Sequence, residues 1–314
     1  MNPRPEARNA AASAEPHAAP EGPPLTRREL REREKHRDAE SVAVPPRAGR
    51  DLRAAIPVGL VIGAAFVASL VFNPVYFVFI AGIAAGAALW EFGTALHRTG
   101  VAVPRLPLVV GGALIVIATY FGGQEAQWLT FALAAGAVLL WCVLDRSPGP
   151  IVQAGLGVFA LGYIGLLASF ATLMVAHFDG SRQVIVFLAM VVANDVGGYV
   201  LGVLIGKHPI APSVSPKKSW EGFLGSAVLA VAVGIWLIVW LLDGPVWTGV
   251  VFGIVIAIIA TLGDFSESMI KRDLDLKDMG TLLPGHGGVM DRLDSILPVA
   301  PIAYLLFLIL PGLS

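Results

Sequence analysis

From Ala54 to Trp90 the chain runs through 37 residues without a charge. At 1.5 Å per residue a single helix of that length would far overrun a hydrocarbon core of ~30 Å, so the run must turn inside itself. Asn73-Pro74 supplies the turn. Further apolar stretches recur at roughly 106 to 122, 126 to 144, 151 to 177, 183 to 205, 220 to 242, 246 to 265 and 295 to 312, each bounded by charges or turn residues. None shows the strict alternation of a barrel strand. The pattern predicts an all-α, polytopic integral membrane protein with about nine transmembrane helices, built from residues 51–314.

The first 50 residues break this pattern, with ten basic and eight acidic side chains among many Pro and Ala. They lack the apolar core of a signal peptide and read as a disordered, charged cytoplasmic tail. Within them Thr26 to Glu40 alternates Arg and Glu, as a short solvated helix or a segment lying on anionic lipid would. Basic residues in the connecting loops then set the orientation. With the tail inside, the inner loops carry Arg98, Arg105, Arg146, Lys207, Lys217, Lys218, Lys271, Arg272, Lys277 and Arg292, whereas the outer loops carry Arg182 alone. This predicts a cytoplasmic N-terminus, an external C-terminus and a multi-pass protein of the cell membrane. Both longer polar loops, 206–219 and 266–294, then face the cytoplasm. A composition of 56% hydrophobic and 14% charged residues excludes a soluble enzyme, and the single Cys142 excludes an intrachain disulfide or a Cys-based metal site. No internal repeat stands out, and no nucleic-acid partner is expected.

Eleven charges of both signs fall between Asp264 and Asp294. If the eighth helix continues past the membrane surface, Asp264, Ser268, Lys271 and Arg272 share a face at offsets 0, 4, 7 and 8. Asp291 and Asp294, three apart at the start of the ninth helix, share another and favour the positive end of its dipole. Aspartates on neighbouring helix ends, with room for water, suit Mg²⁺ bound together with the phosphates of a nucleotide. Lys271, Arg272 and Arg292 would screen phosphate charge, and the glycine-rich turn at 285–288 lets backbone N–H groups approach an anion. Taken singly, each of these residues is also explained by topology-setting charge or helix capping. Their density in so apolar a chain points to a site. Asp195, in the middle of the sixth span, is costly there unless it faces a polar cavity or a partner, with a helix-packing hydrogen bond as the alternative. Lys217 and Lys218 precede the seventh span, where Ser219 is placed to cap the helix. They serve topology or hold phosphates.

The run Ser268-x-Ile270-Lys271-Arg272, four residues, Lys277-Asp278-x-Gly280, then Leu283-Pro284-x-His286-Gly287-Gly288-Val289-x-Asp291-Arg292-Leu293-Asp294 resembles the signature of the phosphatidate cytidylyltransferase, or CDP-diacylglycerol synthase, family. The Ser-Pro-Lys-Lys-Ser-Trp-Glu-Gly run from Ser215 to Gly222 and the pair Asp195 and Tyr199 resemble that family too. The likeness extends over roughly residues 54 to 314, with one departure at Gly198, where relatives often carry alanine. The resemblance implies condensation of CTP with phosphatidic acid to CDP-diacylglycerol and pyrophosphate at the surface of the lipid bilayer. It implies Mg²⁺ at Asp264 and Asp291, K⁺ as a companion cation, and a homodimer. Lys271 and Arg272 would clamp phosphates. His286, Ser268, Asp278 and Asp294 would contact nucleotide or hold the loop, as would Gly287, Gly288 and Arg292. Asp195 would line the entry of the lipid headgroup, with Lys217 and Lys218 nearby. Read without the resemblance, the residues leave open a CTP-dependent lipid kinase and an ion-coupled transporter working through Asp195.

Overall fold

The computed structural model of the chain describes residues 52–145, 149–177, 179–212, 214–280, 282 and 287–313. The predicted tail, with its segment Thr26 to Glu40, and His286 lie outside the described residues. The chain divides into two units, Met1–Gly49 and Arg50–Ser314, and every described residue belongs to the second.

That unit is a helical bundle. Its elements in chain order are α1 (Leu52–Phe72), α2 (Pro74–Arg98), α3 (Arg105–Leu144), α4 (Pro150–Val175), α5 (Gly180–Ile205), a short hairpin of β1 (Pro209–Ala211) and β2 (Ser215–Ser219), α6 (Trp220–Leu241), α7 (Val246–Asp273) and α8 (Met290–Ile309). Seven of these helices, α2 to α8, are long and apolar enough to cross a membrane, and α1 contributes the apolar stretch Gly63–Phe72. The fold class is therefore the expected helical one. One departure is the antiparallel β1–β2 pair, the one sheet among the described residues.

The ends of the helices follow from local chemistry. Asn73 caps α2 by accepting a hydrogen bond from the Val75 amide at 3.0 Å, and Pro74 fills the first helical position, where a missing N–H costs nothing. Ser219 caps α6 in the same way through the Gly222 amide at 3.1 Å. The 40-residue α3 is two helices in one. Gly123 has φ +63° and ψ −155°, outside the helical region. A methyl group built on Gly111 would lie 2.8 Å from Cβ of Ala134. In a straight helix those residues would be about 35 Å apart, so the chain doubles back at Gly123. The two halves correspond to the stretches 106–122 and 126–144. In α4 the segment Leu161–Leu166 is wound as a π-helix.

Two apolar cores hold the bundle. One gathers Met174, Phe187, Met190, Phe252 and Phe307 from α4, α5, α7 and α8. The other gathers Leu89, Phe92, Leu108, Ile115, Val138 and Ile164 from α2 to α4, and it takes in Met279 and Met290 from the polar segment after α7. Burying those methionines fixes where their neighbours Asp278 and Asp291 stand.

α5 and α6 pack at backbone distance. A Cβ on Gly197 would lie 2.3 Å from the Gly225 carbonyl oxygen, and one on Gly225 would lie 2.5 Å from the Gly197 oxygen. Small residues at such a crossing are the usual route to close helix association in lipid, where apolar burial alone offers little gain.

Candidate active site

The C-terminal parts of α5 and α7, the start of α6, the start of α8 and strand β2 meet around a cavity of ≈ 580 Å³. Five carboxylates line it, those of Asp195, Asp264, Asp278, Asp291 and Asp294. Four cations stand against them, Lys217, Lys218, Lys271 and Arg292.

Asp195 sits ten residues before the end of α5, about 15 Å along the helix, and opens into this cavity. Asn194 Nδ2 donates to its Oδ1 at 3.1 Å, and Oδ2 lies 3.5 Å from Ser295 Oγ on α8. The Asn194 carbonyl in turn accepts from Ser226 Oγ on α6 at 2.7 Å. Asp195 therefore faces a polar cavity. The glycines beside it, Gly197 and Gly198, serve the α5–α6 contact.

β2 delivers the lysines. Glu221, in the first turn of α6, accepts from the Lys207 and His208 amides at 3.1 and 3.2 Å and meets His208 Nδ1 at 2.5 Å, which pins the entry of the hairpin to the helix. Lys218 then reaches across to form an ion pair with Asp264 on α7, its ammonium 4.8 Å from the Phe265 ring centroid.

α7 does continue as a helix to Asp273, so the conditional reading of its polar face can be tested. Asp264 and Lys271 line the cavity, whereas Ser268 is half-buried outside the lining and Arg272 is exposed. The cause is the helical period. At about 100° per residue, Arg272 is turned a full step from Lys271, away from the side that holds Asp264. Glu267, three residues after Asp264, lies on the inner side instead and was missed in the sequence, although an offset of 3 places a residue on the same face as well as an offset of 4 does. It is fully buried and 2.8 Å from Lys271 Nζ, an ion pair without an aligned hydrogen bond, and its Oε2 has no partner. Lys271 also reaches Asp291 Oδ1 at 2.7 Å.

Asp291 is held by several donors at once. Besides Lys271 it accepts from the Met279 amide at 3.2 and 3.1 Å and from the Gly288 amide at 2.8 Å. Of the glycine-rich turn expected at 285–288, Gly287 and Gly288 are among the described residues. The Gly288 N–H is aimed at the protein's own carboxylate. Gly287, at φ +83°, wedges between Asp291 and Asp278, where a Cβ would lie 3.1 Å from Asp291 Oδ2 and 3.6 Å from Asp278 Oδ1. Neither glycine lines the cavity. Asp294 lies within electrostatic reach of Asp195, Asp264 and Glu267, so four carboxylates from α5, α7 and α8 share one neighbourhood.

Two further residues escaped the sequence reading. Tyr163, on the π-helical segment of α4, has a buried hydroxyl without a partner and feels the charges of Glu267, Asp294 and Asp264. Glu91 on α2 is 3% exposed and accepts from the Leu282 and Met290 amides at 3.3 and 3.0 Å. No local signal marks Glu91, because its partners lie 191 and 199 residues away in the chain.

A divalent cation fits this arrangement. Among the described residues no three His, Cys, Asp or Glu side chains converge to cage a metal by themselves. Mg²⁺ does not need such a cage, since it is commonly held by one or two carboxylates with water and substrate phosphates. The acids outnumber the cations around the cavity, and Glu267 adds a buried carboxylate with an unpartnered oxygen. An incoming polyphosphate would meet net negative charge unless a cation came with it.

Fold and cavity together define a helical membrane protein with a cavity lined by facing acidic and basic side chains. Comparison with known proteins makes this particular: the chain belongs to the cytidylyltransferase family, whose model matches residues 53–310. It is 41% identical to the phosphatidate cytidylyltransferase of Mycobacterium leprae over 288 residues, which cover 87% of this chain and 92% of that one. The protein of that name from Mycobacterium tuberculosis strain H37Rv is 40% identical over 84% of this chain and 85% of its own length. The one from Helicobacter pylori strain 26695 is 38% identical over 184 residues, 58% of this chain and 65% of its own.

Proposed function

We propose that the cavity carries out cytidylyl transfer from CTP to phosphatidic acid, giving CDP-diacylglycerol and pyrophosphate for phospholipid synthesis. One observation carries the assignment to this site. The two ion pairs Lys218 with Asp264 and Lys271 with Asp291 converge on a cavity that also holds the intramembrane Asp195.

Phosphatidate arrives with an ionised phosphate oxygen, so the nucleophile needs no strong general base. That oxygen attacks the α-phosphorus of CTP as the bond from the α-phosphorus to the bridging β-oxygen breaks, and pyrophosphate leaves. The task of the protein is then to position the reactants and to neutralise charge. Lys271 and Lys218, now matched to carboxylates, are placed to turn to phosphate oxygens when substrate enters. Arg292 and Lys217 add positive charge on the same wall, and Asp195 faces the lipid headgroup. Asp264 and Asp291 would hold Mg²⁺, with the buried Glu267 carboxylate, paired to Lys271, behind them. Bound there, the metal would supply charge neutralisation on the leaving pyrophosphate. Arg272 keeps the phosphate-clamping role, and His286 and Ser268 the role of contacting nucleotide or holding the loop, that the resemblance gives them, and K⁺ as a second cation and the homodimer are carried over with them.

We also propose nine crossings, with α1 counted once and the α3 hairpin twice, the N-terminus in the cytoplasm and the C-terminus outside. The basic loops support this orientation, and it puts the cavity at the cytoplasmic end, where CTP is.

The test uses protein in phosphatidate-containing liposomes with Mg²⁺ and CTP labelled in the cytidine. Label entering lipid only when phosphatidate is present, lost on chelation and restored by Mg²⁺, supports the reading. Label appearing in soluble CDP while a lipid alcohol becomes phosphorylated would overturn it in favour of a kinase.

A further inference from the structure

Glu91 on α2 ties the N-terminal half of the bundle to the segment that carries Asp278 and Asp291. Glu91 projects from α2 into the segment that follows α7, and the segment is shaped to receive it. Its Oε1 accepts from the Leu282 amide and its Oε2 from the Met290 amide. Glycine stands where the chain passes closest. A Cβ on Gly280 would lie 2.1 Å from Glu91 Oε1, and one on Gly288 would lie 2.5 Å from Oε2. No L side chain fits at either point without displacing the carboxylate. Met290 directly precedes Asp291, and Gly288 donates the amide that holds Asp291 Oδ2. The segment is therefore gripped from both sides, by Asp291 on the cavity face and by Glu91 on the bundle face.

We infer that Glu91 is a positioning residue for the reaction: it fixes Gly280, Leu282 and the stretch 287–290 from behind and so sets where Asp291 and Asp278 present their carboxylates. A structural carboxylate would need a partner, but it would not need two backbone amides of the site-bearing loop and two glycines cut to its outline. This rests on the cytidylyl transfer proposed for the cavity.

Glu91→Gln keeps the shape and replaces one acceptor oxygen by an NH₂ group, so one of the two amides loses its partner. Hydrogen–deuterium exchange of peptides spanning 279–293 should rise in that variant, while peptides of α5 and α6 stay protected. Turnover should fall about tenfold, the cost of one backbone bond to a charged acceptor, and more Mg²⁺ should be needed for half-maximal rate, with KM for phosphatidate little changed. Gly280→Ala attacks the same contact from the loop side and leaves α2 intact, so it serves if the first variant folds poorly. It should give the same split. Unchanged exchange in 279–293 would overturn the inference. Faster exchange with normal turnover and Mg²⁺ dependence would reduce Glu91 to a structural contact and overturn it as well. Wild-type protein assayed in parallel separates the two readings: if it fails to label lipid, the proposed reaction falls, while the exchange data still decide whether Glu91 holds the loop.

Discussion

The two halves of the bundle bury polar groups in different ways. In α3 and α4 the hydrogen-bonded ones are neutral and pair within or between those two helices. Thr119 Oγ1 donates to the Ile115 carbonyl at 2.6 Å, Thr172 Oγ1 to the Val116 carbonyl at 2.9 Å, and Gln127 Nε2 to Ser169 Oγ at 2.7 Å. In α5 to α8 neutral bonds such as Ser226 to the Asn194 carbonyl occur too, but charged groups are added to them and held between elements, as in Lys218 with Asp264 and Lys271 with Glu267 and Asp291. A neutral hydrogen bond between membrane helices is worth roughly 1 kcal/mol and serves packing. A charge at membrane depth costs about 3 kcal/mol on insertion scales and persists where it meets a partner or a cavity. The difference separates what holds the bundle together from what the bundle holds in place.

The comparison can be broken most sharply at Asp291. Asp291→Asn keeps an acceptor for the loop amides but removes the charge that faces Lys271, and turnover should drop by about 10³-fold in the lipid-labelling assay, the scale of losing a preorganised electrostatic group. Next in size is Gly225→Val at the α5–α6 crossing. The backbones there leave no room for a Cβ, so the midpoint of thermal unfolding in detergent should fall by an amount equivalent to about 3 kcal/mol, and activity should be lost through unfolding. Lys218→Met preserves most of the side-chain volume and strands Asp264, and a 10- to 100-fold loss of turnover is expected, roughly the value of one charge-assisted bond. The smallest effect should come from Gln127→Leu, which costs about 1 kcal/mol in a denaturation series and leaves turnover unchanged.

The bundle was largely legible because apolar runs and turn residues are local signals. The turn at Asn73-Pro74, the break between the stretches 106–122 and 126–144, and the Ser219 cap lie where the sequence places them. The site was legible in part. Nine of the expected residues line one cavity, since short spacings on helix ends decide which way they face. Arg272 and Ser268 fall outside it because the face of α7 turned inward is centred nearer Glu267 than the offsets 0, 4, 7 and 8 suggest. Glu91 was invisible for a different reason. Its role depends on contacts nearly 200 residues away, and beside Trp90 it reads as the first charge after a membrane span. The hairpin of β1 and β2 was also unseen, because Pro216 and two adjacent lysines argue against a strand by propensity.

The central claim is that the charged groups at the α5–α8 end do the chemistry and the neutral buried groups do not. The most direct test measures turnover of Asp291→Asn and Gln127→Leu side by side, in the same phosphatidate liposomes with labelled CTP, on protein shown by thermal unfolding to be folded. The account predicts near-complete loss for the first and wild-type turnover for the second. Comparable turnover in the two variants would contradict it.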